Sequence, residues 1–173
     1  EGFIPGTTLA PNNLVISHRT REAVNKKCNM ADMQDKDAQL FTLKEYGKPV
    51  NTDKNESKQP TNQPQDAYFW VGQRVVACTR GRGKLRNGRE YEILELGDTV
   101  VVKDSECEIP IKLKRGQFFL AMRLRYAMTY ASAQGLTIQG LLCLQDTDHR
   151  YFEWRKLFVG MSRATGRDKL IVL

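Results

Sequence analysis

Little in this chain of 173 residues points to a metal site, a membrane or a disulfide framework. Its four cysteines (Cys28, Cys78, Cys107 and Cys143) include no Cys-x-x-Cys pair, and only two histidines could join them. Zinc needs ligands gathered by short spacings, so no metal is expected. Scattered cysteines inside apolar segments read instead as reduced core residues of an intracellular protein, in cytoplasm, nucleus or a viral replication compartment. No run of roughly 18 apolar residues occurs, which excludes a membrane-spanning helix. The chain opens Glu-Gly-Phe, without an initiator Met or a signal-peptide pattern, and so reads as an excised piece of a longer protein. A Gly-x-x-x-x-Gly-Lys-Ser/Thr phosphate loop is missing, as is an Asp-Glu metal motif. Without them the chain has no cradle for the β- and γ-phosphates of a nucleotide and no Mg²⁺ ligand.

What is present suffices for one packed domain carrying a small insert. The chain is 40% hydrophobic with seven Phe, and 27% charged. Its net charge of +7 is unevenly spread. Residues 1–70 balance nine bases against nine acids, residues 71–125 carry twelve bases against seven acids, and residues 71–89 hold six bases and no acid. Such an excess suits a phosphate backbone, and it equally suits a solvated basic loop.

Along the chain, Leu14-Val15-Ile16 is a short apolar run expected to be a buried strand. The hydroxyls of residues 17–20 offer caps for a helix over residues 21–28, and strand, polar turn and helix in that order make one βα unit of a parallel sheet. Residues 47–66 are polar, with few aliphatic side chains, and read as a surface linker. Short strands follow, predicted over residues 73–79, 89–96, 99–103 and 117–122. Charged or glycine-bearing turns separate them, Asn87-Gly88 among them, which suggests a small antiparallel barrel. The βα pattern returns with a strand over 140–145, a helix over 151–161 and a buried strand over 169–173. The fold class is therefore α/β, a parallel-sheet domain (residues 1–46 plus 123–173) interrupted by a linker (47–67) and an antiparallel insert (68–122).

Arg163 is the sharpest functional candidate. Phosphoryl transfer needs positive charge against oxygens on which charge spreads, and a guanidinium between small neighbours at a helix end can be presented at a cleft edge. A lone arginine is more often a surface ion pair. Gln134 can donate and accept together, so its amide could bridge a phosphate, a ribose hydroxyl or a water, and Gly135 lets the backbone approach a ligand. The cations of Arg80-Gly81-Arg82-Gly83-Lys84 and Arg86 are spaced to drape along a phosphate backbone, or simply to keep a hairpin soluble. Tyr68-Phe69-Trp70 reads as the seal of a small domain, and Trp154 and Phe158, four apart on the expected helix, read as core.

Thr129-Tyr130-Ala131-Ser132-Ala133-Gln134-Gly135-Leu136-Thr137 and Phe158-Val159-Gly160-Met161-Ser162-Arg163-Ala164 together resemble motifs V and VI of superfamily 1 DNA helicases. Leu14-Val15-Ile16-Ser17-His18-Arg19-Thr20-Arg21-Glu22-Ala23-Val24-Asn25 is similar to motif IV of the RecD/Dda-like branch, and residues 71–76 with 86–93 resemble its SH3-like insert. The resemblance implies the C-terminal half of a motor: a second RecA-like domain carrying a small SH3-like barrel. It implies that Arg163 is the catalytic arginine reaching ATP from across a cleft, with Gln134, Gly135 and Arg21 also at the nucleotide. Ser17, His18, Thr20, Thr129 and Ser132 would meet single-stranded DNA, together with Arg80, Arg82, Lys84 and Arg86 of the hairpin. His18 is equally well explained as a helix cap. The implied cofactor is ATP with Mg²⁺, bound mainly by an N-terminal RecA-like domain of the same parent. The implied partners are single-stranded DNA and DNA forks, the fragment being monomeric. The parent would be an ATP-dependent helicase moving 5′-to-3′ in replication or repair, and this fragment alone would be inactive. One departure stands out: Ala131-Ser132-Ala133 replaces the His-Lys-Ser usual in that branch, which favours a second possibility, a non-catalytic nucleic-acid-binding module.

Overall fold

The computed structural model describes residues 10–46, 64–79, 84–104, 109–166 and 169–173. The elements in chain order are β1 Asn12–Val15, α1 His18–Asp32, β2 Gln39–Phe41, α2 Leu43–Tyr46, β3 Ala67–Phe69, β4 Arg74–Ala77, β5 Glu90–Leu96 and β6 Thr99–Asp104. They continue with β7 Ile111–Lys114, α3 Arg115–Ala121, β8 Met122–Leu124, β9 Ala127–Thr129, β10 Leu142–Leu144, α4 Trp154–Met161 and β11 Leu170–Val172. The expected mixed α/β architecture is present, as a parallel sheet and two separate antiparallel sheets. The chain divides into two compact units, Glu1–Cys28 with Tyr126–Leu173, and Asn29–Arg125.

In the first unit a four-stranded sheet runs in the order β11-β10-β1-β9, every pair parallel. Parallel strands are covered on both faces and therefore read as continuous apolar runs. Accordingly, every residue of β1 and β10 is buried. Alternation along β1 sends Leu14 to one face and Val15 to the other. Leu14 packs with Leu142, Leu144, Ile138, Phe152 and Leu157 on the α4 side, while Val15 packs with Val24 and Cys28 of α1 and with Ala127. Gly160 permits the close approach of α4, because a Cβ there would lie 2.5 Å from Leu144 Cδ2. The outer edge of β9 is closed by a side chain: the Ala127 N–H donates to Asn25 Oδ1 at 2.8 Å, and Asn25 Nδ2 donates back to the Ala127 carbonyl at 3.4 Å. The last strand, expected to be buried, is instead an edge strand with Val172 about half exposed. It has a strand neighbour on one side only.

In the second unit a five-stranded antiparallel sheet runs β7-β6-β5-β4-β8, beside a two-stranded β2-β3 pair. Aromatic rings fill its core. Phe69 meets Phe41 edge-on at 5.2 Å and Phe118 at 5.1 Å, and Phe118 and Phe119 are both fully buried. The Arg115 guanidinium lies 4.3 Å over the Phe41 ring and donates to the Tyr46 hydroxyl and to Gln39 Oε1, each at 2.8 Å. Residues 117–122, expected as a strand, are mostly helix α3, with only Met122 opening β8. A strand would send one of the two adjacent phenylalanines to solvent, whereas a helix turns only ~100° per residue and can bury both. Gln117 supports that start by accepting the Lys114 N–H at 3.2 Å. No helix among the described residues is long and apolar enough to cross a membrane.

Candidate functional site

Parallel sheets bind ligands beyond the carboxyl ends of their strands, because the loops there converge. Two such ends, the turn after β1 and the segment after β9, carry residues singled out above, and a third lies after β10.

After β1, Ser17 caps α1. Its hydroxyl accepts the Thr20 N–H at 3.0 Å and lies 2.9 Å from the Thr20 hydroxyl, while its carbonyl accepts the Arg21 N–H. Ser17, His18 and Thr20 are half-buried. Burial, reinforced by the nearby Arg21 charge and opposed by Glu22, holds His18 below the ordinary imidazole range. The neutral ring can therefore offer a hydrogen bond but no charge, and its Nδ1 is a buried atom without a hydrogen-bond partner. Arg21 points at Glu22, 3.2 Å away, with only 11% of its side chain exposed.

After β9, the Thr129 hydroxyl accepts the Ser132 N–H at 3.2 Å and lies 2.8 Å from the Ser132 hydroxyl. Thr129 is buried and Ser132 exposed, so Ser132 is the one open to a ligand. Ala133, where the helicase branch has serine, is fully buried in the core. Gln134 is exposed, and Gly135 follows with φ +80°, a left-handed conformation that a side chain would strain.

The third end supplies Asp146, which the sequence reading overlooked. Its Oδ2 accepts the Ile16 N–H at 2.9 Å, pinning the turn that presents Ser17 and His18. It does so with φ +60°, uncommon for a residue other than glycine. A carboxylate directly after an apolar strand was the available signal. Beside it the Tyr130 hydroxyl donates to the Gln145 carbonyl at 3.2 Å. Burial first, and the Asp146 charge second, push that phenol well above its ordinary range. The thiol of Cys143, inside β10, is pushed up by burial to about 11.

Arg163 ties two of the sequence motifs together. Its Nη1 donates to the Leu136 carbonyl at 2.9 Å, and its Nε and Nη2 reach Ser162 Oγ at 3.3 and 3.1 Å. The backbone repeats the link, for the Ile138 N–H donates to the Arg163 carbonyl at 2.9 Å and Ile138 forms a parallel bridge with Ala164. Lys84 and Arg86 lie exposed on the turn before β5, while Leu85 between them is buried. Arg80 and Arg82, like Cys107 and residues 47–63, lie outside the described residues. Trp154 and Phe158, expected in the core, are 84% and 73% exposed. Leu157 and Gly160 form the buried side of α4, so its register turns those two rings to solvent.

No family model matches the sequence, and no curated protein matches it. Solved structures do. A Pif1 helicase from a study of forked-duplex unwinding by two coordinating Pif1 helicases matches at TM-score 0.65 and 15% identity, over 97% of this chain and 40% of that one. Pif1 helicase from Candida albicans matches at TM-score 0.59 and 15% identity, over 98% and 45%. Pif1 from Bacteroides, in complex with ADP-AlF3 and single-stranded DNA, matches at TM-score 0.58 and 16% identity, over 93% and 39%. The chain thus spans less than half the length of these proteins, and over nearly all of its own length it has the fold of a segment of Pif1 helicases.

Proposed function

We infer that the chain is the second motor half of an ATP-dependent DNA helicase. The parallel-sheet unit would be its RecA-like domain, and the antiparallel unit would carry its SH3-like barrel. The observation that carries this is the Arg163 contact: the guanidinium meets the Leu136 carbonyl across 27 residues of sequence, so Gln134-Gly135 and Ser162-Arg163 share one edge. Similarity to a Pif1 helicase solved with ADP-AlF3 and single-stranded DNA supports both ligands.

In the parent, ATP would lie between this domain and an N-terminal RecA-like domain. Arg163 would exchange its carbonyl partner for the terminal phosphate and neutralise charge on its equatorial oxygens. Gln134 would bridge a phosphate, ribose hydroxyl or water, with Gly135 letting the backbone come close and Arg21 turning from Glu22 toward the nucleotide. Ser17, His18, Thr20, Thr129 and Ser132 would hold single-stranded DNA, His18 as a neutral hydrogen-bonding ring, while Arg80, Arg82, Lys84 and Arg86 follow the phosphates. Opening and closing of the cleft would step the protein 5′-to-3′ and unwind forks in replication or repair. Among the described residues no cluster of His, Cys, Asp or Glu is placed to hold a metal. Magnesium would be held by the other domain, which would carry the phosphate loop and the Asp-Glu motif missing from this sequence.

The test compares DNA-stimulated ATP hydrolysis by the full-length parent and by this chain. The expected result is turnover by the parent and none by the chain. A parent that binds DNA without hydrolysing ATP establishes the second reading, a nucleic-acid-binding module, which the buried Ala133 favours. Magnesium-dependent turnover by the purified chain alone overturns the half-motor reading.

A further inference from the structure

The loop before α4 and the outer side of that helix carry rings that the parallel-sheet unit does not use for its own core. Trp154 is 84% exposed, Phe158 73% and Tyr151 54%. The positions 154 and 158 lie one helical turn apart, so both rings project from one side of α4. Next to them two further planar groups lie against Tyr151. The Arg150 guanidinium lies 4.6 Å over the Tyr151 ring, and the His149 ring lies 5.4 Å from the same ring. Residues 149–158 carry Arg150, Arg155 and Lys156 against Glu153 alone. Trp154 also walls a shallow, mainly apolar groove of about 420 Å³ with Phe152, Glu153 and Leu157.

Burying these rings in water's place would gain free energy, yet the domain leaves them outside. A set of exposed rings edged with cations matches one ligand chemistry in particular. Bases of a single strand stack on aromatic faces regardless of sequence, and the phosphates between them seek guanidinium and ammonium groups. At the first turn of α4 Glu153 makes no side-chain cap; its carbonyl accepts the Lys156 and Leu157 N–H groups, which leaves those of Trp154 and Arg155 for a phosphate.

We propose that residues 149–158, with Trp154 at the centre, form a stacking site for single-stranded nucleic acid, separate from the residues of motifs IV and V. A base stacks on Trp154 and the next is held by Phe158 or by Tyr151 with its Arg150 and His149 neighbours. Arg150 and Arg155 meet the intervening phosphates. This assignment stands on the chemistry of the patch and does not need the motor reading to hold.

Fluorescence isolates the site. Of the two tryptophans, Trp70 is 8% exposed and Trp154 84%, so solvent-sensitive emission comes chiefly from Trp154. The 173-residue chain is titrated with a short oligothymidylate and, in parallel, with inorganic polyphosphate, which has the charge but no bases. The expected result is quenching by the oligonucleotide and not by polyphosphate. Trp154→Ala should weaken oligonucleotide binding roughly tenfold or more, while Trp154→Phe restores most of it. Arg150→Ala with Arg155→Ala should flatten the salt dependence by about 0.7 per lost contact in slope. Circular dichroism checks folding, which an exposed ring should not disturb. Lys84→Ala with Arg86→Ala serves as the contrast, lowering affinity while leaving the quenching intact. Equal affinity for Trp154→Ala and the unmodified chain overturns the proposal, as does binding without quenching. Quenching by an acidic, leucine-rich peptide but not by oligothymidylate also overturns it, and makes the face a protein-docking site. Failure of ATP turnover in the parent leaves the quenching result untouched, so the two readings fail separately.

Discussion

The two units use their aromatic residues in different proportions: of those among the described residues of the parallel unit only Tyr130 is buried, edge-on to Phe152 at 5.8 Å. The antiparallel unit turns Phe41, Phe69, Tyr91, Phe118 and Phe119 inward and stacks several ring against ring, whereas the parallel unit leaves Tyr151, Trp154 and Phe158 at its surface. Aliphatic side chains do most of the packing in the parallel unit, with Leu14, Leu142 and Leu144 at zero exposure. The contrast separates two uses of the same residue type. Rings that meet other rings edge-on hold a small fold together, while Trp154 and Phe158, left at the surface, are free to meet the bases proposed above.

That contrast can be strained from several directions. The largest expected effect is on chemistry: in the full-length parent, Arg163→Ala should lower ATP turnover by ~10³-fold or more while leaving DNA affinity nearly unchanged. Steady-state hydrolysis beside equilibrium DNA binding checks it, and near-normal turnover with poor DNA binding would make Arg163 a phosphate-backbone contact. Next comes the aromatic core, where Phe118→Ala should cost ~3–5 kcal/mol, read by denaturant unfolding. A loss under ~1 kcal/mol would show that the ring cluster is not what holds the antiparallel unit. Gly160→Ala should cost ~1–3 kcal/mol through the clash with Leu144, and Leu144→Ala in the same chain should relieve part of that penalty.

A smaller effect concerns pH. His18 has a folded pKa below its ordinary value of 6.5, so the unfolded chain binds the proton more tightly. Its contribution is complete above about 6.5 and is lost as pH falls from there through the lowered folded value. Thermal unfolding from pH 7.5 to 5 should show a decline that His18→Gln lessens; an identical decline in the variant would assign it to other groups. The smallest effect is Phe158→Ala, which should move stability by no more than ~0.5 kcal/mol because the ring has left no core to collapse. A loss as large as that of Phe118→Ala would erase the difference between the units.

The parallel unit was legible where burial is two-sided. Leu14-Val15-Ile16 and the apolar run at 142–144 announce themselves because both faces of the strand demand apolar residues. The motif resemblance put Arg163 and Gln134 at one nucleotide; the Arg163–Leu136 contact itself was not readable, since nothing in a linear separation of 27 residues dictates it. Other features were not readable. The run from Gln117 to Met122 is apolar and short enough to suit either a strand or a helix, and only the need to bury Phe118 and Phe119 together decides between them. Trp154 and Phe158 have the spacing of a core stripe, but Leu157 and Gly160 share the same helix and took the inner side. A period identifies a face without saying which way it looks. Asp146 escaped notice because its task, accepting one backbone N–H, leaves only a faint mark in sequence, a carboxylate just past an apolar strand. Residues 39–41 pair with β3 and α2 supplies Tyr46 to Arg115, contacts that the sequence pattern did not announce.

The side chain of Asn25 has a further consequence for how this molecule can be extended. An open strand edge is a template on which another chain can add itself, whether as an intended partner or as the first step of aggregation. By satisfying both the N–H and the carbonyl of Ala127, Asn25 removes that template from the β9 side. Among the described residues the sheet can then grow only beyond β11, so strand addition to this domain has a single permitted direction.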